Sequence, residues 1–161
     1  MIPSSTPVVQ TTSWQALLAQ AVSDPFELLR QLAIDPAGFS HLAAASADFP
    51  LRVPAPFIAR MEAGNPHDPL LLQVLPTAAE LARHPGYLAD PLAEAGAIKQ
   101  PGLIHKYHGR VLLILTGACA VHCRYCFRRH FPYQEHQQSS TEWQRSLAYI
   151  ASRPDITEVI L

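Results

Sequence analysis

Apolar residues follow one rhythm in the first half of this chain and another after residue 102. From Trp14 to Leu75 they recur at helical spacing in short pieces. Thr12 and Gln15 form a capping-box pair that predicts a first helix, with Trp14, Leu17, Leu18 and Ala21 on one face. Asp24-Pro25-Phe26-Glu27 predicts a second start: Asp24 as cap, Pro25 at the first helical position, Glu27 reaching back. Pro56 to Ala63 predicts a third helix, stopped by Gly64-Asn65-Pro66, and Asp68 is expected to cap a fourth over Pro69 to Leu75. Pro76 to Gly102 reads as loop, with one helical turn near Ala78–Ala82. Thirteen of the fifteen prolines precede Cys119, which is why the pieces stay short.

Beyond Gly102 the pattern becomes extended. Leu103 to Tyr107 and Arg110 to Thr116 flank His108-Gly109 as a hairpin-like pair, and VLLIL at 111–115 is apolar without alternation, as a strand covered on both faces would be. Ser139-Ser140-Thr141-Glu142 is a capping box that opens a helix to about Ser152; Arg153-Pro154-Asp155 breaks it, and Ile156 to Leu161 predicts another strand. Strand, long loop, helix, strand is a βαβ unit, the building block of parallel sheets and barrels. The expectation is an α/β chain with a mainly helical region over 1–102 and the start of a parallel α/β structure over 103–161. Ending on its second strand, such a unit would leave apolar edges exposed, so the sequence is expected to be the front part of a larger protein.

Composition adds exclusions. Apolar residues make up 48% and charged residues 16%, enough for a core, and the net charge of −1 gives no reason to expect a nucleic-acid partner or an anionic membrane surface. No apolar run approaches the roughly 18 residues of a spanning helix. The first basic residue is Arg30, so the amino terminus lacks a charged targeting start, and a reducing cytoplasmic location is expected. There, clustered cysteines serve as metal ligands or catalysts more often than as disulfides.

All three cysteines, Cys119, Cys123 and Cys126, fall in GACAVHCRYCFRRHFPY, spaced C-x3-C-x2-C. Three is odd for disulfides and one short of the four ligands of a structural zinc. They could be small hydrophobes on a buried helical face, although Arg124, Arg128 and Arg129 would make that face poorly apolar. They could form a Cys3His zinc site with His122, His130 or His136, although only Cys123–Cys126 has the usual pair spacing. Or they could hold an iron–sulfur cluster, in which three thiolates leave one iron open to a non-protein ligand.

C-x3-C-x2-C at the carboxyl end of the first strand of the βαβ unit resembles the radical S-adenosylmethionine (SAM) superfamily. HKYHGRVLLILTGACAVHCRYCFRRHFPY, preceded by RVPAPFIARMEAGNPHDPLLLQVLP, is similar to the lysine 2,3-aminomutase family, and most of all to its bacterial branch that supplies β-lysine for modifying elongation factor P. The resemblance implies a partial (β/α) barrel, here reaching only its second strand. It implies an isomerase that moves the amino group of L-α-lysine to give (R)-β-lysine, with a [4Fe–4S] cluster, SAM and pyridoxal 5′-phosphate (PLP) as cofactors. Cys119, Cys123 and Cys126 would ligate the cluster, Tyr125 would contact the adenine of SAM, and Arg128 would clamp the substrate carboxylate. A reducing electron donor and lysine are the implied partners, with a homo-oligomer as one possible state. The PLP-binding lysine of the family and its Gly-rich SAM segment would lie beyond Leu161, since Lys99 and Lys106, the two lysines here, read as surface residues. His122 and His130 are expected to make structural hydrogen bonds. Rival readings are an aminomutase acting on glutamate or on free lysine for metabolism, and a non-catalytic iron–sulfur module, which would want a fourth cysteine.

Overall fold

The structure is a computed structural model and describes residues 13–161. The chain divides into two compact units. One runs to Ala82 and takes in Ala120–Arg124; the other comprises Arg83–Cys119 and Tyr125–Leu161.

The first unit is built from short helices: α1 (Trp14–Ala19), α2 (Pro25–Gln31), α3 (Leu42–Asp48), α4 (Ala55–Ile58) and α5 (Leu71–Val74). Thr12 lies outside the described residues; Ser13 caps α1, accepting from the Ala16 amide at 3.3 Å. The face expected of α1 is not buried, and Trp14 is exposed. Asp24 caps α2 as the sequence predicts, accepting from the Phe26 amide at 2.9 Å. Glu27 does not reach back; its carboxylate takes hydrogen bonds from Arg30 and Gln31 instead, because those longer donors sit one turn ahead of it. The helix expected over 56–63 is a single turn, and Gly64, at φ +76°, donates its amide to the Leu32 carbonyl at 2.7 Å. Asp68 does cap: Oδ1 accepts from the Leu70 and Leu71 amides and Oδ2 from that of Glu62, and these backbone donors hold its carboxyl below the usual range. Helix α3 was not legible, since its small residues, LAAASAD, offer only Leu42 and Ala45 for burial. Leu28, Leu29, Leu42, Leu51, Val53, Leu71 and Val74 form the floor of this unit's core. Burying each such side chain fully is worth about 1.5–3 kcal/mol.

The second unit holds a four-stranded sheet in the order β1 (Ile98–Gln100), β2 (Leu103–Tyr107), β3 (Arg110–Leu113), β4 (Glu158–Ile160). The first two pairings are antiparallel; β3 and β4 are parallel, in the register Val111 to Val159. The β2–β3 turn uses Gly109 at φ +76°, a conformation that favours glycine. The Gly109 carbonyl also receives the amides of Thr157 and Glu158, which starts β4 alongside β3. Helix α6 (Ser140–Ala151) opens on the expected capping box: the Glu142 amide donates to Ser139 Oγ, and the Ser139 amide donates to Glu142 Oε2. The βαβ unit is therefore β3, α6, β4. Strand β1 was not anticipated; IKQ is too short to carry a period.

Alternation along β2 and β3 covers both faces of the sheet. Leu103, Val111 and Leu113 pack against Trp143, Tyr149 and Ile150 of α6. Ile104, Leu112 and Ile114 point the other way and meet Phe131 and Tyr133, which lie beyond the cysteines. The doubly covered strand expected at VLLIL ends at Leu113; Ile114 just beyond it is still buried, while Leu115 is exposed. No described helix is long and apolar enough to cross a membrane.

Candidate functional site

The chain leaves β3 at its carboxyl end and runs without helix or strand from Ile114 to Pro132, carrying the three cysteines. The buried helical face considered for the thiols therefore does not exist. The entry to this segment is tight. A Cβ placed on Gly117 would meet Tyr133 Cβ at 2.7 Å, and the Tyr133 ring is itself held edge-on against Phe131 at 4.9 Å. Gly117→Ala is expected to destabilise the second unit by about 1–3 kcal/mol, as overpacking does. Chemical denaturation checks this, and an alanine variant as stable as the parent would contradict the close approach.

The middle of the segment, Ala120–Arg124, belongs to the helical unit. Val121 packs on that core, the His122 amide donates to the Arg52 carbonyl at 3.1 Å, and His122 Nδ1 bonds the Pro50 carbonyl at 2.9 Å. The imidazole stacks on Phe49 at 5.3 Å, so His122 has the structural role expected of it. His130 is exposed, and no structural hydrogen bond holds it among the described residues. Arg124 is the strongest anchor. Its Nη1 and Nη2 donate to the Phe49 and Ala45 carbonyls at 2.7 and 3.2 Å, and its Nε and Nη2 reach the Glu80 carboxylate at 3.1 and 2.5 Å. Both side chains are largely buried, at 6% and 12% exposure. Cys123 thus sits between two fixed neighbours. Sequence reasoning treated Arg124 only as a charge that spoils an apolar face; a lone arginine among loop cysteines was the available signal.

In the second unit, Arg128 follows Cys126 in a run of turns in which the Arg129 amide donates to the Cys126 carbonyl and the Phe131 amide to that of Arg128. The guanidinium lies 5.0 Å from the Phe127 ring centre and grips Glu94 at two points: Nε to Oε2 at 2.8 Å, Nη2 to Oε1 at 2.6 Å. Those charge-assisted bonds raise the Arg128 pKa above its ordinary value. Glu94 went unnoticed in the sequence because a carboxylate in a loop carries no pattern. The pair lines two cavities, one of about 130 Å³ beside Phe127 and Phe131 and one of about 180 Å³ over Ile104, Leu112 and Ile160. Tyr125 is 72% exposed. Lys99 and Lys106 are both exposed, as expected, and Lys106 Nζ donates to the Leu92 carbonyl.

All three thiols are free; Cys119 is exposed, and Cys123 and Cys126 are half-buried. Among the described residues, no three of His, Cys, Asp and Glu converge closely enough to hold a metal ion. What is present is a donor set: three free thiols in one loop.

No protein-family model matches the chain. Among curated proteins, the L-lysine 2,3-aminomutase of Escherichia coli (strain K12) is 54% identical over 149 residues, covering 91% of this chain and 43% of that protein. The L-lysine 2,3-aminomutase of Haemophilus influenzae is 44% identical over 160 residues, covering 99% and 47%. That of Buchnera aphidicola subsp. Baizongia pistaciae is 42% identical over 150 residues, covering 92% and 44%. The chain belongs to the lysine 2,3-aminomutase family. It spans less than half the length of these relatives. The lysine 2,3-aminomutases are isomerases, and for a member of that family the chemistry of the donor set is apt: sulfur ligands suit an iron–sulfur cluster, and a loop that supplies three thiolates suits one that keeps an iron open.

Proposed function

We propose that this chain carries the cluster-binding and carboxylate-binding part of a radical SAM lysine 2,3-aminomutase, which converts L-α-lysine to (R)-β-lysine for the modification of elongation factor P. The observation that carries the reading is the C-x3-C-x2-C loop of free thiols leaving β3, a strand joined to its parallel neighbour β4 through one helix. In this reading β3–α6–β4 opens a (β/α) barrel, whose chemistry belongs at the carboxyl ends of its strands. Cys119, Cys123 and Cys126 would hold a [4Fe–4S] cluster, SAM would take the open iron, and Tyr125 would lie against its adenine. When bound, the cluster with SAM supplies a hydrogen-abstracting radical, and PLP supplies the electron delocalisation that amino migration requires.

The chain's own residues bind and orient. Arg128 offers a planar fork to the substrate carboxylate, which fixes the α-carbon and, through it, the β-carbon from which a hydrogen leaves. Phe127 and Phe131 line the cavity beside it and keep that wall dry. His122 and Arg124 hold the loop that presents Cys123. Lys99 and Lys106 are surface residues in this reading, and a lysine elsewhere holds PLP. A reducing electron donor is the expected partner and the cytoplasm the expected location, with no role for nucleic acid or a membrane.

Arg128→Lys tests the assignment. In the cofactor-loaded protein it is expected to leave iron and sulfide content unchanged while lowering lysine turnover by about 100-fold, because the ammonium keeps the charge and loses the two-point grip. Turnover at the parent rate would refute the clamp.

A further inference from the structure

A guanidinium has two edges that can each grip a carboxylate, one formed by Nε and Nη2 and the other by Nη1 and Nη2. Glu94 occupies the first edge of Arg128 completely, through the bonds at 2.8 and 2.6 Å. Nη1 has no hydrogen-bond partner among the described residues, and the Arg128 side chain keeps 23% exposure against 9% for Glu94.

Glu94 is not a side chain that drifts onto Arg128. Asp90 brackets the backbone beneath it, Oδ1 accepting from the Glu94 amide and Oδ2 from the Ala95 amide, each at 2.9 Å. The preceding residue, Ala93, is held at φ +52°, a left-handed conformation that a residue with a Cβ adopts only when its surroundings impose it. The Glu94 carbonyl in turn accepts the Ala97 amide at 2.8 Å, closing the turn that leads into β1. A bracketed, strained turn therefore aims one buried carboxylate at one arginine.

We propose that Glu94 is the positioning residue of the carboxylate clamp: it holds the Nε/Nη2 edge of Arg128 permanently and so turns the Nη1/Nη2 edge toward the carboxylate of the ligand. The proposal rests on the reading of Arg128 as the clamp. Displacement of Glu94 by the incoming carboxylate is the competing geometry. It would strand a buried, backbone-bracketed anion, and breaking a buried pair by removing one partner is strongly destabilising. Sharing the guanidinium between two carboxylates neutralises part of its charge, and Lys106, which also lines the cavity of about 180 Å³, adds positive charge to the same wall, whereas Arg110 there is already paired to Glu158 at 3.2 Å. The ligand thus meets a fork of fixed direction over an apolar floor.

The experiment compares L-lysine with L-lysinamide, which lacks the carboxylate, by calorimetric titration of the cofactor-loaded protein as parent, Glu94→Gln and Glu94→Asp, alongside steady-state kinetics and the crystal structure of the lysine-bound parent. The parent is expected to prefer lysine by about 10- to 100-fold, the worth of a charge-assisted two-point contact. Glu94→Gln puts an amide donor against an arginine donor, so the guanidinium swings: the preference should fall to near unity and kcat should fall with it, while Glu94→Asp restores part of both. In the lysine-bound structure, Glu94 should remain on Nε/Nη2 with the ligand carboxylate on Nη1/Nη2. No preference in the parent would remove the clamp and this proposal with it. A full preference and unchanged kcat in Glu94→Gln would leave the clamp standing and overturn the role of Glu94. Should Glu94→Gln fail to fold, the lysine-bound parent decides alone: a ligand carboxylate on the Nε/Nη2 edge, with Glu94 displaced, overturns the proposal.

Discussion

Alanine at any one of Cys119, Cys123 or Cys126 is expected to abolish both cluster retention and SAM cleavage in the anaerobically reconstituted protein. Each thiolate in a three-cysteine site serves a different iron, so none can cover for another, and an iron left without its sulfur ligand destabilises the whole cube. The loss should be chemical rather than structural. None of the three side chains belongs to the packed clusters of either unit, and Cys119 is exposed. Far-ultraviolet circular dichroism of the variants should therefore match the parent while iron and acid-labile sulfide disappear. A single-alanine variant that keeps its cluster and cleaves SAM at the parent rate would sink the assignment of that cysteine.

Arg124→Ala is expected to cost the helical unit about 3–5 kcal/mol, the penalty for leaving one member of a buried ion pair alone. The carboxylate of Glu80 would be stranded at 12% exposure, and the carbonyls of Ala45 and Phe49 would lose their donor. Arg30→Ala supplies the internal comparison. Its partners Asp24 and Glu27 are well exposed, and surface pairs are worth about 0–1 kcal/mol. Urea denaturation followed by circular dichroism separates the two cases, and equal shifts for Arg124→Ala and Arg30→Ala would refute the buried lock. Replacing Glu80 and Arg124 together by apolar residues should recover part of the loss, since no lone charge then remains. Cys123 immediately precedes Arg124, so the pair fixes the backbone next to that thiol.

The readable parts of the fold share a physical cause: their signals are local. Capping at Asp24, Asp68 and Ser139 is decided within four residues, and β2, β3 and α6 show their periods directly. The parallel pairing of β3 with β4 follows from the helix between them. Where local signals are weak, the sequence misled or stayed silent. Helix α3 has too few large side chains to show a face, β1 is three residues long, and α1 carries apolar residues that stay in contact with solvent. The site divides the same way. The thiols announce themselves by spacing, being close in sequence, whereas Arg128 is singled out only by the family resemblance of the motif around it. Glu94 and Glu80 lie 34 and 44 residues from the arginines they hold, and no local pattern specifies such a partner.

One measurement bears most directly on the claim that the three thiols hold a cluster with an open iron. Mössbauer spectroscopy of the protein reconstituted with iron-57 is to be recorded without and with SAM. The expected result is about four irons per chain in a single cube, with about one quarter of the absorption moving when SAM is added. Stoichiometric zinc with no iron or sulfide, or a cube in which no iron responds to SAM, would contradict it.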